Sequence, residues 1–343
     1  MRVIDWSGTL VSGVSPYTGD SEADYPPWAL VTVAPLTALP DALAPFVWVL
    51  INLLLAVVVC VSLVRLADEP RDVRMGLLAL LLAASCFRVL SQFSILSFTL
   101  AFVGARHPSA LLGGLWLGLS LMKPQVGGVL LLAHMVMGDW RRVSTALAVP
   151  VVLTLVASAM IGTTPVPLLT DVVRVLENVH GGSERFTGHT ELEGWLAPWI
   201  PGVTTVAGAL SVGVVLLIPV AVAAWRHHKA WTLTRTLELY ALCGVISLLA
   251  TRHLSYDFLL LLPVLVAWRS APLATRGLGQ PWHEAWVVTS VLMVVQVPGW
   301  WRRIFEPMGW PDVFGAMMEL DRLLCIVLFG LLSWRLMRLD VTK

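Results

Sequence analysis

From Leu43 to Val64 the chain runs without a single charged residue. A bilayer core about 30 Å thick needs roughly 20 apolar residues at 1.5 Å per residue, so a run of this size is a candidate membrane helix. It is not isolated. Runs at 143–162, 206–225, 283–298 and 319–337 approach the same length, and shorter ones at 75–88, 92–105, 109–122, 124–138, 235–250 and 255–268 follow each other closely. Only 13% of the 343 residues are charged and mean hydropathy is +0.79, whereas a soluble domain carries about 25% charge. These features exclude a soluble globular protein. They predict an all-α, polytopic membrane protein: one domain over 1–343, a bundle of about eleven transmembrane or half-membrane helices with outer-face loops.

The short runs are separated by Arg88, Gln92, Lys123 and Gln125. Charge and irregular backbone at membrane depth are tolerated only where protein or water surrounds them, so these helices are expected to line a cavity. The connections at 65–74, 106–107, 139–142, 226–235, 269–276 and 335–343 hold most of the Lys and Arg, while the opposite set holds most of the Asp and Glu. The basic set therefore faces the cytoplasm of a bacterial plasma membrane. That orientation starts the N-terminus outside, although residues 1–27 contain no apolar leader, so a transmembrane segment is expected upstream. Two outer connections are long: 1–42, whose stretch Ala29–Leu39 is interrupted by Pro35 and is expected to lie along or dip into the interface, and 163–205. Loops of that length are usually functional.

A net charge of +1 with no basic face argues against a nucleic-acid partner. Cys60, Cys86, Cys243 and Cys325 all lie in apolar stretches without metal or redox spacing and read as small core residues. No cofactor and no metal is called for.

Three groups of residues are able to carry chemistry. Asp5, Asp20, Glu22 and Asp24 stand before the first interfacial stretch, among Tyr17, Tyr25 and Trp28. A carboxylate there can act as general base towards a hydroxyl arriving from water, and the plain alternative is a set of solvated loop acids. Lys123 and Arg88 lie at the outer ends of short helices. Unless paired or hydrated such a cation costs several kcal/mol (about 2.5–3.5 on insertion scales), so both are candidate phosphate ligands; the alternative is snorkelling to the interface. Arg252, His253 and Asp257 form a mixed-sign cluster that could neutralise an anion and carry a proton, or simply pin two helix ends.

In chain order these pieces read Gly13-Val14-Ser15-Pro16-Tyr17, then Tyr25-Pro26-Pro27 with Ala34-Pro35-Leu36 and Leu39-Pro40, then Ser91-Gln92, then Lys123-Pro124-Gln125 with Gly138-Asp139-Trp140-Arg141-Arg142. This order resembles glycosyltransferase family 87, integral membrane enzymes of the GT-C class similar to polyprenol-phosphate-mannose-dependent mannosyltransferases. The resemblance spans about residues 9–145 and returns at 245–268 with Ser255-Tyr256-Asp257. It implies inverting transfer of a sugar, mannose in that group, from a polyprenyl-phosphate donor to a lipid or glycan acceptor on the outer face. It also implies a catalytic Asp upstream of the Gly-x-x-Pro-Tyr element, a place Asp5 alone fills, although nearer to Tyr17 than the family spacing. Asp257-Phe258 stands where many relatives carry a His pair after an aromatic residue, and His253 is the only nearby imidazole, so both are candidate catalytic residues. Lys123, Arg88 and Arg252 would bind the donor phosphate; Tyr17, Tyr25, Trp28, Gln92 and Gln125 would contact substrate or wall its cavity. Ser91 replaces a usual Gly. The rival readings are a transporter or flippase of lipid-linked substrates, which would spread charge through both halves of the bilayer, and an inactive assembly subunit.

Overall fold

The computed structural model describes residues 2–18, 22–66, 93–181, 192, 196–203, 206–227, 231–250, 260–263, 307–308 and 311–338. Among them there are helices and turns and no strand, as the composition predicts. The chain divides into two compact units, one of residues 1–56, 88–135 and 139–186, the other of 57–87, 136–138 and 187–343.

The first unit begins with α1 (Arg2–Val11) and α2 (Pro27–Val33). Val3, Trp6 and Leu10 recur at i, i+3 and i+7 and are buried, which turns one face of α1 inward. Between them Ser7 is also buried, and its hydroxyl donates to the carbonyls of Val3 (2.9 Å) and Leu30 (3.1 Å), tying α1 to α2. Pro27 opens α2, where its missing N–H costs nothing. Pro35 then converts the chain into a 3-10 turn over Ala34–Ala38, so the stretch expected to be interrupted is interrupted.

α3 (Leu43–Leu66), α4 (Ser94–Arg106), α5 (Ala110–Ser120), α6 (Pro124–Val136) and α7 (Trp140–Met160) reproduce five of the expected runs to within a few residues. Among the described residues only α7 is both long and apolar enough to cross a membrane. α4, α5 and α6 have 13, 11 and 13 residues, about 17–20 Å each, shorter than the roughly 30 Å of a bilayer core. Of the other expected runs, 75–88, 283–298 and all of 255–268 but residues 260–263 lie outside the described residues.

Glycines let three of these helices approach to backbone contact. A Cβ on Gly104 of α4 would lie 2.7 Å from the Gly113 carbonyl oxygen and 2.7 Å from the Leu117 nitrogen of α5. One on Gly118 would lie 2.6 Å from the Ala146 carbonyl oxygen of α7. Small residues at helix crossings supply the dispersion contacts that replace hydrophobic driving force in lipid. The ends are stitched by Arg142, which donates to the carbonyls of Ala105 (2.5 Å) and His107 (2.7 Å) and faces Asp139 at 3.3 Å; Asp139 in turn faces His134 at 3.3 Å.

After the left-handed Gly162 (φ +67°), Pro165 starts α8 (Pro165–Gly181), whose Leu168, Val172 and Val175 are buried against the unit's core. The two segments expected as long outer loops thus carry helices: α1 and α2 within 1–42, and α8 within 163–205. A search for apolar runs passes over them because only one face of α1 and α8 is apolar.

In the second unit, α9 (Val206–Leu216) and α10 (Ile218–His227) replace the single run expected at 206–225. Pro219 gives the reason, since its ring disfavours continuation from the preceding turn. α11 (Leu233–Ala250) packs on α12 (Pro311–Arg338), and each has a buried free thiol, Cys243 and Cys325. Arg226 and His227 bond the Met337 and Leu336 carbonyls at 2.6 and 2.9 Å, satisfying the end of α12. Arg322 pairs with both oxygens of Glu319, at 2.9 and 3.0 Å, one turn earlier on the same helix.

The glycine contacts make a direct prediction. Gly104→Ala forces two backbones apart and should destabilise by about 1–3 kcal/mol, seen as a lower melting temperature of the detergent-solubilised protein. Gly128→Ala, whose Cβ would meet nothing within 4 Å, should leave it unchanged or raise it slightly.

Candidate functional site

The turn between α5 and α6 places Lys123. α5 ends at Ser120, Leu121 and Met122 turn the chain, and Pro124 starts α6, whose first turns hydrogen-bond back to the Lys123 carbonyl (Val126 and Gly127 amides, both 2.9 Å). Gly127 is required, because a Cβ there would collide with the Ser120 carbonyl. Ser97 of α4 clamps the same turn by donating to the Ser120 carbonyl at 2.5 Å. The Lys123 side chain is only 3% exposed, and its ammonium donates to the Ser94 hydroxyl at 2.6 Å.

A cation at the first residue of a helix opposes the macrodipole, whose positive end lies there. Two features favour an anion instead: the positive end of the helix dipole and a fixed ammonium beside it. The position is unfavourable for the empty fold and suited to binding phosphate.

The segment 12–28 is brought to this turn by aromatic packing. The Tyr25 ring meets Phe93 edge-on at 4.7 Å, and Phe93 directly precedes Ser94, the Lys123 partner. Trp6 of α1 lies 6.3 Å from Tyr25, and Trp48 lies 5.3 Å from Phe93. Trp28 is half-buried, and its indole N–H donates to the Leu121 carbonyl at 2.7 Å, so it braces the turn that carries Lys123. Tyr17 is wholly buried, with its hydroxyl donating to the Tyr25 carbonyl at 2.9 Å. Burial also raises its phenol far above the ordinary range, so it remains a donor. Tyr17 therefore supports the segment from below and offers no face to a ligand.

Between Tyr17 and Tyr25 stands Asp24. Its side chain reaches solvent, yet the surrounding protein crowds it. That partial desolvation raises its carboxyl above the usual value, while a hydrogen bond to its own amide and the positive charges of Lys123 and Arg2 pull it back. A carboxylate of raised basicity beside a buried ammonium is a base next to an anion site. Asp5 lies on the exposed face of α1, and Gln125 is half-buried in the first turn of α6. Arg88, Gln92, Arg252, His253, Asp257 and Asp20 lie outside the described residues.

Sequence reasoning weighed Asp24 as one loop acid among several and did not single out Ser94 or Arg2. The adjacent Tyr25-Pro26-Pro27 was the available signal, since it fixes the backbone immediately after Asp24. No pattern in the sequence marks Ser94, which acquires its role only when α4 and α5 pack.

The raised carboxyl has a consequence for stability. A carboxyl whose value is raised by folding opposes folding once pH passes its unfolded value of about 4, and the penalty grows until the folded value is reached. Asp24→Asn should therefore raise the melting temperature at pH 7, and the difference from wild type should vanish as pH falls below 4. Thermal scans of both proteins across that range check the sign.

Among family models, that of glycosyltransferase family 87 matches residues 24–252, well over half of the chain. Comparison with curated proteins and with solved structures gave no match.

Proposed function

The chain belongs to glycosyltransferase family 87 and is by that membership a glycosyltransferase of a membrane-associated family; on this premise we propose that it transfers mannose from a polyprenyl-phosphate donor to a lipid or glycan hydroxyl at the outer face of the bacterial plasma membrane, with inversion. The observation that carries this reading is the buried Lys123 ammonium at the start of α6, with Asp24 within its electrostatic reach.

In this reading the donor phosphate sits against Lys123 at the positive end of the α6 dipole. Asp24 takes the proton from the acceptor hydroxyl as that oxygen attacks the anomeric carbon. The bond from that carbon to the phosphate oxygen breaks in line on the opposite side, and the polyprenyl phosphate leaves as an anion. Lys123 stabilises the charge arriving on it, the kind of preorganised electrostatics that supplies much of the rate acceleration in such sites. Desolvation of Asp24 suits the base role because a proton acceptor works best when its affinity approaches the working pH. Asp5, the one carboxylate that precedes the Gly-x-x-Pro-Tyr element, stands as the alternative on α1. Arg88, Arg252, His253 and Asp257 are proposed to complete the phosphate and acid–base set, with Tyr25, Gln92 and Gln125 along the sugar path.

The test is transfer by protein reconstituted in liposomes, supplied with radiolabelled polyprenyl-phosphate mannose and a membrane-lipid extract. Asp24→Asn should lower kcat by about 10²–10⁴ with little change in donor KM, as expected when a general base is removed. Lys123→Ala should raise donor KM and lower kcat/KM by at least about tenfold. Full activity of Asp24→Asn with loss in Asp5→Asn would assign the base to α1. A wild-type protein that moves the labelled lipid between leaflets without forming product would replace transfer by transport.

A further inference from the structure

Asp24 is held between two hydrogen bonds. The Ala23 amide, one residue before it, donates to the Pro16 carbonyl at 2.9 Å. The Tyr25 carbonyl, one residue after it, accepts from the Tyr17 hydroxyl at 2.9 Å. Residues 16 and 17 thus grip the chain on both sides of the carboxylate. What steadies residues 16 and 17 comes from far along the sequence. Arg174 of α8 donates through Nη2 to the Tyr17 carbonyl at 2.8 Å, 157 residues away. The same guanidinium lies 3.3 Å from Asp171 and 3.8 Å from Glu22.

These contacts differ in weight. The Glu22 pair is long and its partners are a third to a half exposed, so solvent screens it. Asp171 sits one turn earlier on the same helix and orients the guanidinium without joining α8 to anything else. The bond to Tyr17 is short and charge-assisted, the stronger type, and it meets a residue that is itself wholly buried. α8 is fixed beneath by Leu168, Val172 and Val175, so its Arg174 is presented from a packed helix.

We propose that Arg174 is a positioning residue for sugar transfer, holding Asp24 in place through the Tyr17 carbonyl and the clasp that Tyr17 closes on Tyr25. This rests on the reading of Asp24 as the base. Arg174 touches neither donor nor acceptor. Its loss leaves Lys123 and Ser94 in place and lets the segment that presents the carboxylate drift, and small misplacements of a reacting group lower turnover steeply.

The experiment uses the full chain in liposomes with polyprenyl-phosphate mannose and the lipid extract, comparing wild type, Arg174→Ala, Arg174→Lys and Glu22→Gln. Hydrogen exchange at the Ala23 amide is followed in parallel. Arg174→Ala should lower kcat about ten- to a hundredfold with donor KM within about twofold, and should speed exchange at Ala23. Arg174→Lys, able to donate one bond to the same carbonyl, should recover most of kcat. Glu22→Gln should match wild type. Equal kcat in wild type and Arg174→Ala would overturn the proposal, and would do so even if Ala23 exchange had changed, since the clasp would then serve stability alone. A fall in kcat that Arg174→Lys does not relieve, with Ala23 exchange unaltered, would also overturn it. Asp24→Asn, measured alongside, tells the two failures apart: if it loses turnover, equal kcat in wild type and Arg174→Ala overturns this proposal alone, and if it keeps turnover, the reading of Asp24 falls and the proposal with it.

Discussion

One ammonium sets the terms for the first unit. Lys123 is buried, at a helix start whose dipole repels it, on a short turn between two half-length helices. To hold it there the fold supplies Ser94 for the charge, Ser97 and Gly127 for the turn, and Trp28 for the outer flank. They come from α4, α6 and α2. The glycine contact between α4 and α5 brings Ser94 and Ser97 alongside the turn. A position so costly for the isolated fold is tolerable where an anion is to be received, which is the sense in which binding sites carry strain that the rest of the structure supports.

The sequence spoke clearly wherever burial was all-round and faintly wherever it was one-sided. The apolar runs of α3 to α7 and of α11 are legible because every face of those helices is apolar. α1 and α8 are amphipathic, so their charged faces hid them inside stretches that looked like loops. Pro35 broke its segment as expected, while Pro219 divided a run that counting alone left whole. Lys123 was legible as a cation out of place. Tyr17 and Trp28 were legible as members of the site, but their work is visible only in three dimensions: one closes a clasp, the other braces a turn. Asp24 could not be separated from its neighbouring acids, because the desolvation that distinguishes it comes from elements distant in sequence.

Among the described residues, arginines and a histidine gather carbonyls at helix ends. Arg142 gathers the Ala105 and His107 carbonyls, and in the second unit Arg226 and His227 gather those of Met337 and Leu336. With Arg235 donating to its Nδ1 at 3.0 Å, His227 has Nε2 left to donate to Leu336. Carbonyls at helix C-termini have no partner within the helix, and a low-dielectric surrounding makes leaving them bare expensive. Guanidinium groups, with several donors in one plane, satisfy two carbonyls at once.

The bond from Arg174 to Tyr17 spans 157 residues and so has a bearing on biosynthesis. A chain emerging from the ribosome delivers Tyr17 well before Arg174, the residue that bonds its carbonyl. Until α8 has been made Tyr17 has no partner there, and on the proposed reading the Asp24 carboxylate is not yet held in place. The centre is completed late, by a contact of high sequence separation whose loop-closure entropy is borne once α8 has docked. Chains that stop short of that helix lack the Arg174 bond to Tyr17, so on the proposed reading they are left with the carboxylate unsteadied.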